Sequence, residues 1–132
     1  WVCWSPVDFM LPDAPVGVGI VRCGQAPQIT ALERHVSREE LLWTTTRDVV
    51  MAVDLPVRLG DALARPNIET TRVFRIKAGQ AVIIARGAWH SPAFAVQGEA
   101  EYFFLVEQKA DLVDQDAQPW IDFAGGETLE IG

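Results

Sequence analysis

The amino-acid sequence predicts a small all-β protein with antiparallel strands, arranged as a sandwich or a barrel. Three observations support this: the candidate strands are brief, turn residues separate them at regular intervals, and no long helical pattern lies between them. A chain of 132 residues has the length of one domain with one core. We therefore expect a single domain over residues 1–132, with its core at about 16–107 and both terminal segments packed against it.

The candidate strands follow one another along most of the chain. In order they are 16-VGVGIVR-22, 29-ITALERH-35, 40-ELLWTTT-46, 49-VVMAVD-54, 71-TRVFRI-76, 81-AVIIA-85, 93-AFAV-96 and 101-EYFFLVE-107. Turn-forming stretches such as 65-RPN-67, 77-KAGQ-80 and 97-QGEA-100 separate them. Only 57-VRLGDALAR-65 has a helical pattern, which is short and interrupted by Gly60.

The tail after residue 107 contributes two aromatic residues. Trp120 and Phe123 are candidate anchors that fold the tail back onto the body, and no structure is predicted beyond Gly125.

Three strands are apolar at successive positions and do not alternate: VVMAV, AVIIA and YFFLV. A strand of this kind needs cover on both of its faces. The protein interior covers one face, and a second sheet, the N-terminal piece or a partner subunit covers the other. We therefore expect a homodimer.

Composition excludes several classes of partner. Hydrophobic residues make up 49% and charged residues 22%, the net charge is -7, and no basic run is clustered, which argues against nucleic acid or an acidic membrane surface. No apolar run approaches the roughly 20 residues that span a bilayer. Cys3 and Cys23 lack metal-site spacing and indicate thiols in a reducing compartment, so we expect a cytoplasmic protein.

Acidic and basic residues and the first of two histidines concentrate in 32-LERHVSREELLW-43. Side chains two apart on a strand share a face, so Glu33 and His35 point together and Arg34 points away. Glu40 starts the next strand, which we expect to return antiparallel and bring this carboxylate beside the first pair across a hairpin. The alternative is that each is an ordinary satisfied or solvated side chain.

A second segment, 79-GQAVIIARGAWHSP-92, carries the other histidine, His90. Together the two segments resemble the paired motifs of the cupin superfamily, with Glu33 where the first motif has a histidine and Ala85 where the second has a proline. The resemblance implies a jelly-roll barrel of antiparallel strands. It also implies that Glu33, His35, Glu40 and His90 converge at the mouth of that barrel as catalytic residues and metal ligands.

Two imidazoles and two carboxylates suit a first-row divalent metal such as Ni, Mn, Fe or Zn, and a site without metal stays an alternative. Four protein ligands around an octahedral ion leave two positions for the oxygens of a small hydroxy or keto acid. The metal would polarise a carbonyl or lower the pKa of a hydroxyl or water.

A narrower resemblance extends over about Val16 to Glu107. The segments 32-LERH-35, 49-VVMAVD-54, 72-RVFRIKAGQAV-82 and 89-WHSPAF-94 resemble those of the ureidoglycolate lyase family of small cupins. Departures from that family are Val36 for a proline, Glu40 for a glutamine, Ile84 and Ala85 for a Tyr-His pair, and Ser91 for a second histidine.

The family resemblance implies cleavage of ureidoglycolate, or a related small acid, to glyoxylate and urea. Such a C–N elimination needs a base for the hydroxyl proton, an acid for the departing nitrogen and a cation for the carboxylate. Either glutamate is a candidate base and either histidine a candidate acid.

Three further residues are candidates for substrate binding. Arg22 and Arg86 are candidate carboxylate clamps, with solvated surface residues as the alternative. Trp89 packs at the rim, and its indole is expected to belong to the core more than to form a stacking platform for substrate. The alternatives to a lyase are a cupin that binds a small acid or sugar without turnover, and a metal-dependent isomerase or dioxygenase.

Overall fold

The structure is a computed structural model, and it describes residues 15–26, 28–107 and 117–131. The described residues form twelve strands and no helix. The strands are β1 (Val16–Cys23), β2 (Gln28–Ile29), β3 (Ala31–His35), β4 (Glu40–Thr44), β5 (Val49–Asp54), β6 (Arg72–Ile76), β7 (Ala81–Ile84), β8 (Trp89–His90), β9 (Phe94–Ala95), β10 (Ala100–Glu107), β11 (Ala117–Asp122) and β12 (Leu129–Glu130). The prediction of an all-β protein is confirmed.

The strands form three antiparallel sheets. A four-stranded sheet has the order β1-β10-β4-β7, and a six-stranded sheet has the order β11-β3-β8-β5-β6 with β9 also paired to β5. A small third sheet joins β12 to β2. Among the described strands no ladder closes the two larger sheets on each other, so the observed fold is a pair of facing sheets and not a closed barrel. The part of the chain that the structure describes contains no helix long and apolar enough to cross a membrane.

The helical pattern at 57–65 does not form a helix. Isolated turns replace it: the Asp61 N–H donates to the Arg58 carbonyl at 3.0 Å and the Ala64 N–H donates to the Asp61 carbonyl at 3.2 Å. Arg58 has a φ of 54°, outside the helical region, and Gly60 follows two residues later. The prediction of helical character there was wrong because this segment packs as a loop over β3.

The core has two parts because β5 is covered on both faces. On one face Met51 and Val49 pack between the two larger sheets with Leu42, Ile84 and Tyr102. On the other face Ala52 packs with Leu32, Trp89 and Phe123. The apolar run VVMAV therefore has cover on both sides within one chain, as its sequence requires.

The tail packs through one of its two predicted anchors. Phe123 is buried, and its N–H donates to the Thr30 carbonyl at 3.2 Å. Trp120 was predicted to anchor as well, but its side chain is 55% exposed and its φ is 53°. A bulge in the β11–β3 ladder falls between Gln118 and Ile121 and so includes Trp120. Beyond Gly125, where no structure was predicted, Leu129 of β12 pairs with Ile29 of β2.

Candidate functional site

The fold brings the four predicted polar residues to one cavity of about 320 Å³ between the two larger sheets. Glu33 on β3 is the cross-strand partner of His90 on β8, so the two segments meet directly. His35 ends β3 on the same face as Glu33, and its carbonyl accepts the Gly87 N–H at 2.7 Å. This hydrogen bond ties the end of β3 to the turn that precedes β8.

Glu40 reaches the cavity by a different route from the one predicted. We expected β3 and β4 to form a hairpin, but β4 pairs with β10 and β7 in the opposite sheet. The Glu40 carboxylate therefore faces Glu33 and His35 across the interior. The prediction of a β3–β4 hairpin was wrong, although Glu40 does lie close to Glu33 and His35 as predicted.

Four side chains approach one another closely in the cavity. The Glu40 Oε2 atom lies 3.6 Å from His35 Nε2 and 3.9 Å from His90 Nε2. The Glu33 Oε1 atom lies 3.8 Å from His90 Nε2. The two imidazole rings have centroids 5.5 Å apart. These separations leave room for a proton, a ligand atom or an ion between the groups.

His90 has a defined tautomer. Its Nδ1 atom lies 3.0 Å from the Ala88 carbonyl oxygen, which only accepts, so Nδ1 carries the proton. The Nε2 atom then carries a lone pair that faces the two carboxylates. This atom is buried and has no hydrogen-bond partner among the described residues. A buried acceptor in this state indicates a site that a ligand completes.

Arg38 is the residue that sequence reasoning missed at this site. Its guanidinium lies in the cavity and donates to His35 Nδ1 at 3.2 Å. Because arginine only donates, His35 Nδ1 is the acceptor and the His35 proton is on Nε2, facing Glu40. Arg38 lies in the 36–39 turn, where the two-residue period of a strand does not predict direction.

Burial sets the protonation of the four groups. It raises the pKa of Glu40 to about 7, with repulsion from Glu33 adding to the effect and Arg38 opposing it. Burial also raises the pKa of Glu33. It lowers the pKa of His35 to about 3, assisted by His90 and Arg38, and lowers the pKa of His90. Near neutral pH the cavity therefore holds two neutral imidazoles and a Glu40 carboxyl that is partly protonated.

Comparison with known families agrees with this geometry. A protein-family model described as ureidoglycolate lyase matches residues 5–121, which is most of the chain. The protein belongs to the ureidoglycolate lyase family. No curated protein matches the sequence at a significant level.

Solved structures show the fold of this family member to be cupin-like. Oxalate decarboxylase from Lactobacillus farciminis has a TM-score of 0.54 at 14% identity, covering 80% of this chain and 27% of that one. The dTDP-6-deoxy-D-glucose-3,5-epimerase of Legionella pneumophila has a TM-score of 0.52 at 11% identity, covering 78% and 52%. An oxalate oxidase has a TM-score of 0.51 at 17% identity, covering 83% and 46%. The chain thus spans about a quarter to a half of these proteins, and at such identities the likeness shows the fold alone.

The cavity of this ureidoglycolate lyase family member is compatible with a divalent metal. Glu33, His35 and His90 each offer a ligand atom, and these atoms lie within 4.8 Å of one another. The unpartnered Nε2 lone pair of His90 fits such a role. Coordination by His35 would need the Nδ1 lone pair that Arg38 occupies, or a proton shift that turns Nδ1 into a donor. Either way the Arg38–His35 hydrogen bond would have to be given up.

The structure places the two predicted arginine clamps outside this cavity. The Arg22 side chain is 74% exposed and pairs with Glu101 at 2.8 Å, in a separate polar groove. Arg86 is exposed in the turn after β7 and does not line the cavity. Neither predicted clamp therefore lines the cavity, and among the described residues the arginine that does so is Arg38.

Trp89, a candidate substrate-binding residue at the rim whose indole was expected to belong to the core, is fully buried on the other side of β8. Its indole packs in the core around Leu32, under the Arg34 guanidinium at 4.4 Å from the ring centroid. Trp89 therefore belongs to the core, and Arg34 points away from the cavity as the strand period predicted.

Two departures from the family pattern have structural explanations. The Ser91 hydroxyl accepts the Ala52 N–H at 3.0 Å and donates to the Pro92 carbonyl at 2.7 Å, so it holds β5 and β8 together. Ile84 is buried in the core. Neither position offers a titratable group to the cavity.

Proposed function

We propose that the protein is a lyase that cleaves the C–N bond of ureidoglycolate or a closely related ureido acid, releasing glyoxylate and urea. The observation that carries the proposal is the convergence of two competing carboxyls, a neutral histidine acceptor and one arginine in a single small cavity. Family membership supports the same reaction class. We also infer that the two sheets are the halves of one cupin jelly-roll domain, with this cavity at its open end.

The elimination needs a proton removed from one atom of the substrate and another delivered elsewhere. Removal of the hydroxyl proton forms the C=O bond of glyoxylate, and the electrons of the breaking C–N bond pass to nitrogen, which takes up a proton to leave as urea. We assign Glu33 as the base and Glu40, whose pKa is raised to about 7, as the acid. A carboxyl that keeps its proton up to near neutral pH, beside a second carboxyl, suits these opposite roles.

The sequence had offered a histidine as the acid. We assign Glu40 as the acid instead, because burial lowers the pKa of both histidines and keeps their imidazoles neutral. His90 Nε2 then accepts a hydrogen bond from the substrate, and Ala88 holds the ring in place through Nδ1. Arg38 binds the substrate carboxylate, because it is the arginine that lines the cavity.

A second candidate is a metal-dependent cupin acting on the same class of small acid. It is favoured by the ligand atoms of Glu33, His35 and His90, which lie within 4.8 Å of one another. When bound there, a divalent ion would polarise oxygens of the acid. Arg38 would bind the carboxylate in this case too, because it lines the same cavity.

The test is release of glyoxylate and urea in equal amounts from ureidoglycolate by the purified chain, before and after treatment with EDTA. We expect Glu40→Gln to lower kcat by about a hundredfold or more. Glu39→Gln, one residue earlier and outside the cavity lining, is the matched control. Activity that survives EDTA supports the acid–base lyase, and activity restored only by an added metal supports the second candidate. No release by the wild type under any condition would contradict both.

A further inference from the structure

A second cavity, of about 400 Å³, lies between the free edges of the two larger sheets, where β6 and β7 end their sheet orders. Its walls are mostly aliphatic, and Phe74 stands among them with 54% of its side chain exposed. Its polar residues are already engaged: Arg75 pairs with Asp48 at 2.8 Å, and the Gln80 side chain accepts the Lys77 N–H at 2.8 Å. A cavity of this size and lining suits an apolar group of a small molecule.

The two cavities share a wall. Met51 lines both of them and is itself buried. Two further residues of the apolar cavity adjoin the polar one: Ile84 is the cross-strand partner of Glu40, so their side chains share one face of the sheet, and the Ala88 carbonyl accepts the His90 Nδ1 hydrogen bond. The apolar cavity therefore lies beside Glu40 and His90, next to the polar cavity.

Met51 is suited to act as a movable partition. A methionine side chain is unbranched, has three rotatable bonds and tolerates several packings. A rotamer change at this one residue would let a ligand extend from the polar cavity into the apolar one. The polar cavity holds the charged end of such a ligand beside Arg38.

We propose that the apolar cavity binds an alkyl or aryl substituent carried by the same acid whose polar end occupies the Glu33–Glu40 cavity. This rests on the proposed function, and it names the substrate class as 2-hydroxy-2-ureido acids with an apolar substituent on the carbinol carbon. Cleavage of their C–N bond would release urea and the correspondingly substituted 2-oxo acid in place of glyoxylate. Specificity for that substituent then comes from residues of β6 and β7, outside the acid–base groups.

The test is calorimetric titration of the full chain with glycolate and with 2-hydroxy acids of increasing unbranched chain length, up to 2-hydroxyoctanoate. Once the chain passes Met51, affinity should rise about fourfold for each added methylene. Val82→Trp, at a partly buried position that packs against the core and lines the apolar cavity, should fill that cavity and flatten this series, leaving glycolate affinity unchanged. Phe74→Gln removes an exposed apolar wall and provides a second variant should the first not fold. Ala124→Trp, on the exposed tail, is the matched control and should retain the wild-type series.

Each result of these titrations either supports or overturns the proposal. A rising series that both cavity variants flatten, with 2-hydroxyoctanoate displacing glycolate, supports the proposal. A flat series in a wild type that binds glycolate overturns the apolar subsite and leaves the proposed function standing. Long acids that bind unaffected by both variants, or without displacing glycolate, also overturn it. If no acid binds, glycolate included, the proposed function fails and the subsite fails with it.

Discussion

At the scale of single residues, the Glu40 carboxyl makes the stability of the protein depend on pH. Its folded pKa of about 7 lies above its ordinary value of 4.5, so the folded state binds its proton more tightly than the unfolded state. The stabilising contribution is therefore complete below pH 4.5 and is lost as the pH rises through 7. We expect Glu40→Gln to raise the free energy of unfolding by on the order of 3 kcal/mol at pH 8 and by little at pH 4.5.

Urea denaturation of wild type and variant at these two pH values measures this difference. Glu39→Gln, at a residue outside the cavity lining, serves as the control. An equal effect of Glu40→Gln at both pH values would contradict the raised pKa.

Arg38 gives a second prediction at this scale. Because it lines the cavity beside two carboxyls, Arg38→Ala should weaken binding of a small carboxylate such as glycolate by about tenfold to a hundredfold. Arg38→Lys should restore part of the loss, because it keeps the charge without the fork of donors. Arg22→Ala and Arg86→Ala should bind glycolate as the wild type does, since both lie outside the cavity. Calorimetric titration of the four variants with glycolate measures these affinities. A loss of affinity confined to Arg22→Ala or Arg86→Ala would refute the assignment of Arg38 as the carboxylate-binding residue.

Residue-level prediction from sequence succeeded where a simple period applied. Alternation along β3 correctly separated Glu33 and His35 from Arg34. His90 was predicted as a site residue from its position in the second motif, and the pairing of β3 with β8 places it opposite Glu33. Arg38 was missed because turn residues have no fixed facing direction, and Arg22 was misplaced because its strand alternates outward at that position.

At the scale of elements, Arg34 fixes the 55–64 loop to β3. Its side chain is fully buried and donates to the Val57 and Asp61 carbonyls, each at 2.9 Å. Arg34→Ala would remove these charge-assisted hydrogen bonds and the stacking on Trp89, and should destabilise the protein by about 3 kcal/mol. Arg72→Ala, an exposed arginine on β6, should change stability by about 0.5 kcal/mol or less. Chemical denaturation compares them, and equal losses would show that the loop is not held by Arg34.

The elements that sequence predicted are the ones with long apolar runs. All eight candidate strands are present with small shifts in their bounds, although 29–35 is broken at Thr30 into β2 and β3. The two-residue strand β8 and the tail strands β11 and β12 were not predicted. Their pairing depends on tertiary neighbours, and two to six residues of mixed polarity carry little periodic signal.

At the scale of the whole molecule, the outer face of the four-stranded sheet carries two rows of apolar side chains across its strands. The rows are Val18, Leu105, Leu41, Ile83 and Ile20, Phe103, Trp43, Ala81. Val18 and Ile20 are 65% and 64% exposed, and the Trp43 and Phe103 rings stack with centroids 5.4 Å apart. We propose that a second copy of the chain covers this face, forming the homodimer expected from the sequence.

The homodimer can be tested by sedimentation at tens of micromolar protein. The double variant Val18→Lys with Ile20→Lys should turn a dimer into a monomer, because it would bury four charges in the interface. Val73→Lys, on the other large sheet, should leave the dimer intact. A monomeric wild type, or a double variant that remains dimeric, would contradict this interface.

Topology was the least predictable level. Chain order suggested that β3 and β4 would pair, and they lie instead in facing sheets. The predicted convergence of Glu33, His35 and Glu40 is nevertheless present, because β3 and β4 both direct these side chains into the space between the two sheets. Pairing depends on long-range contacts that chain order does not reveal.

The most direct test of the central claim is a crystal structure of the protein with hydantoate, which is ureidoglycolate without its hydroxyl and so cannot undergo the elimination. We expect its carboxylate on the Arg38 guanidinium and its ureido group within hydrogen-bonding distance of Glu40 and His90 Nε2. Hydantoate bound in the groove of Arg22, or bound in the cavity without contact to Arg38 and Glu40, would contradict the claim.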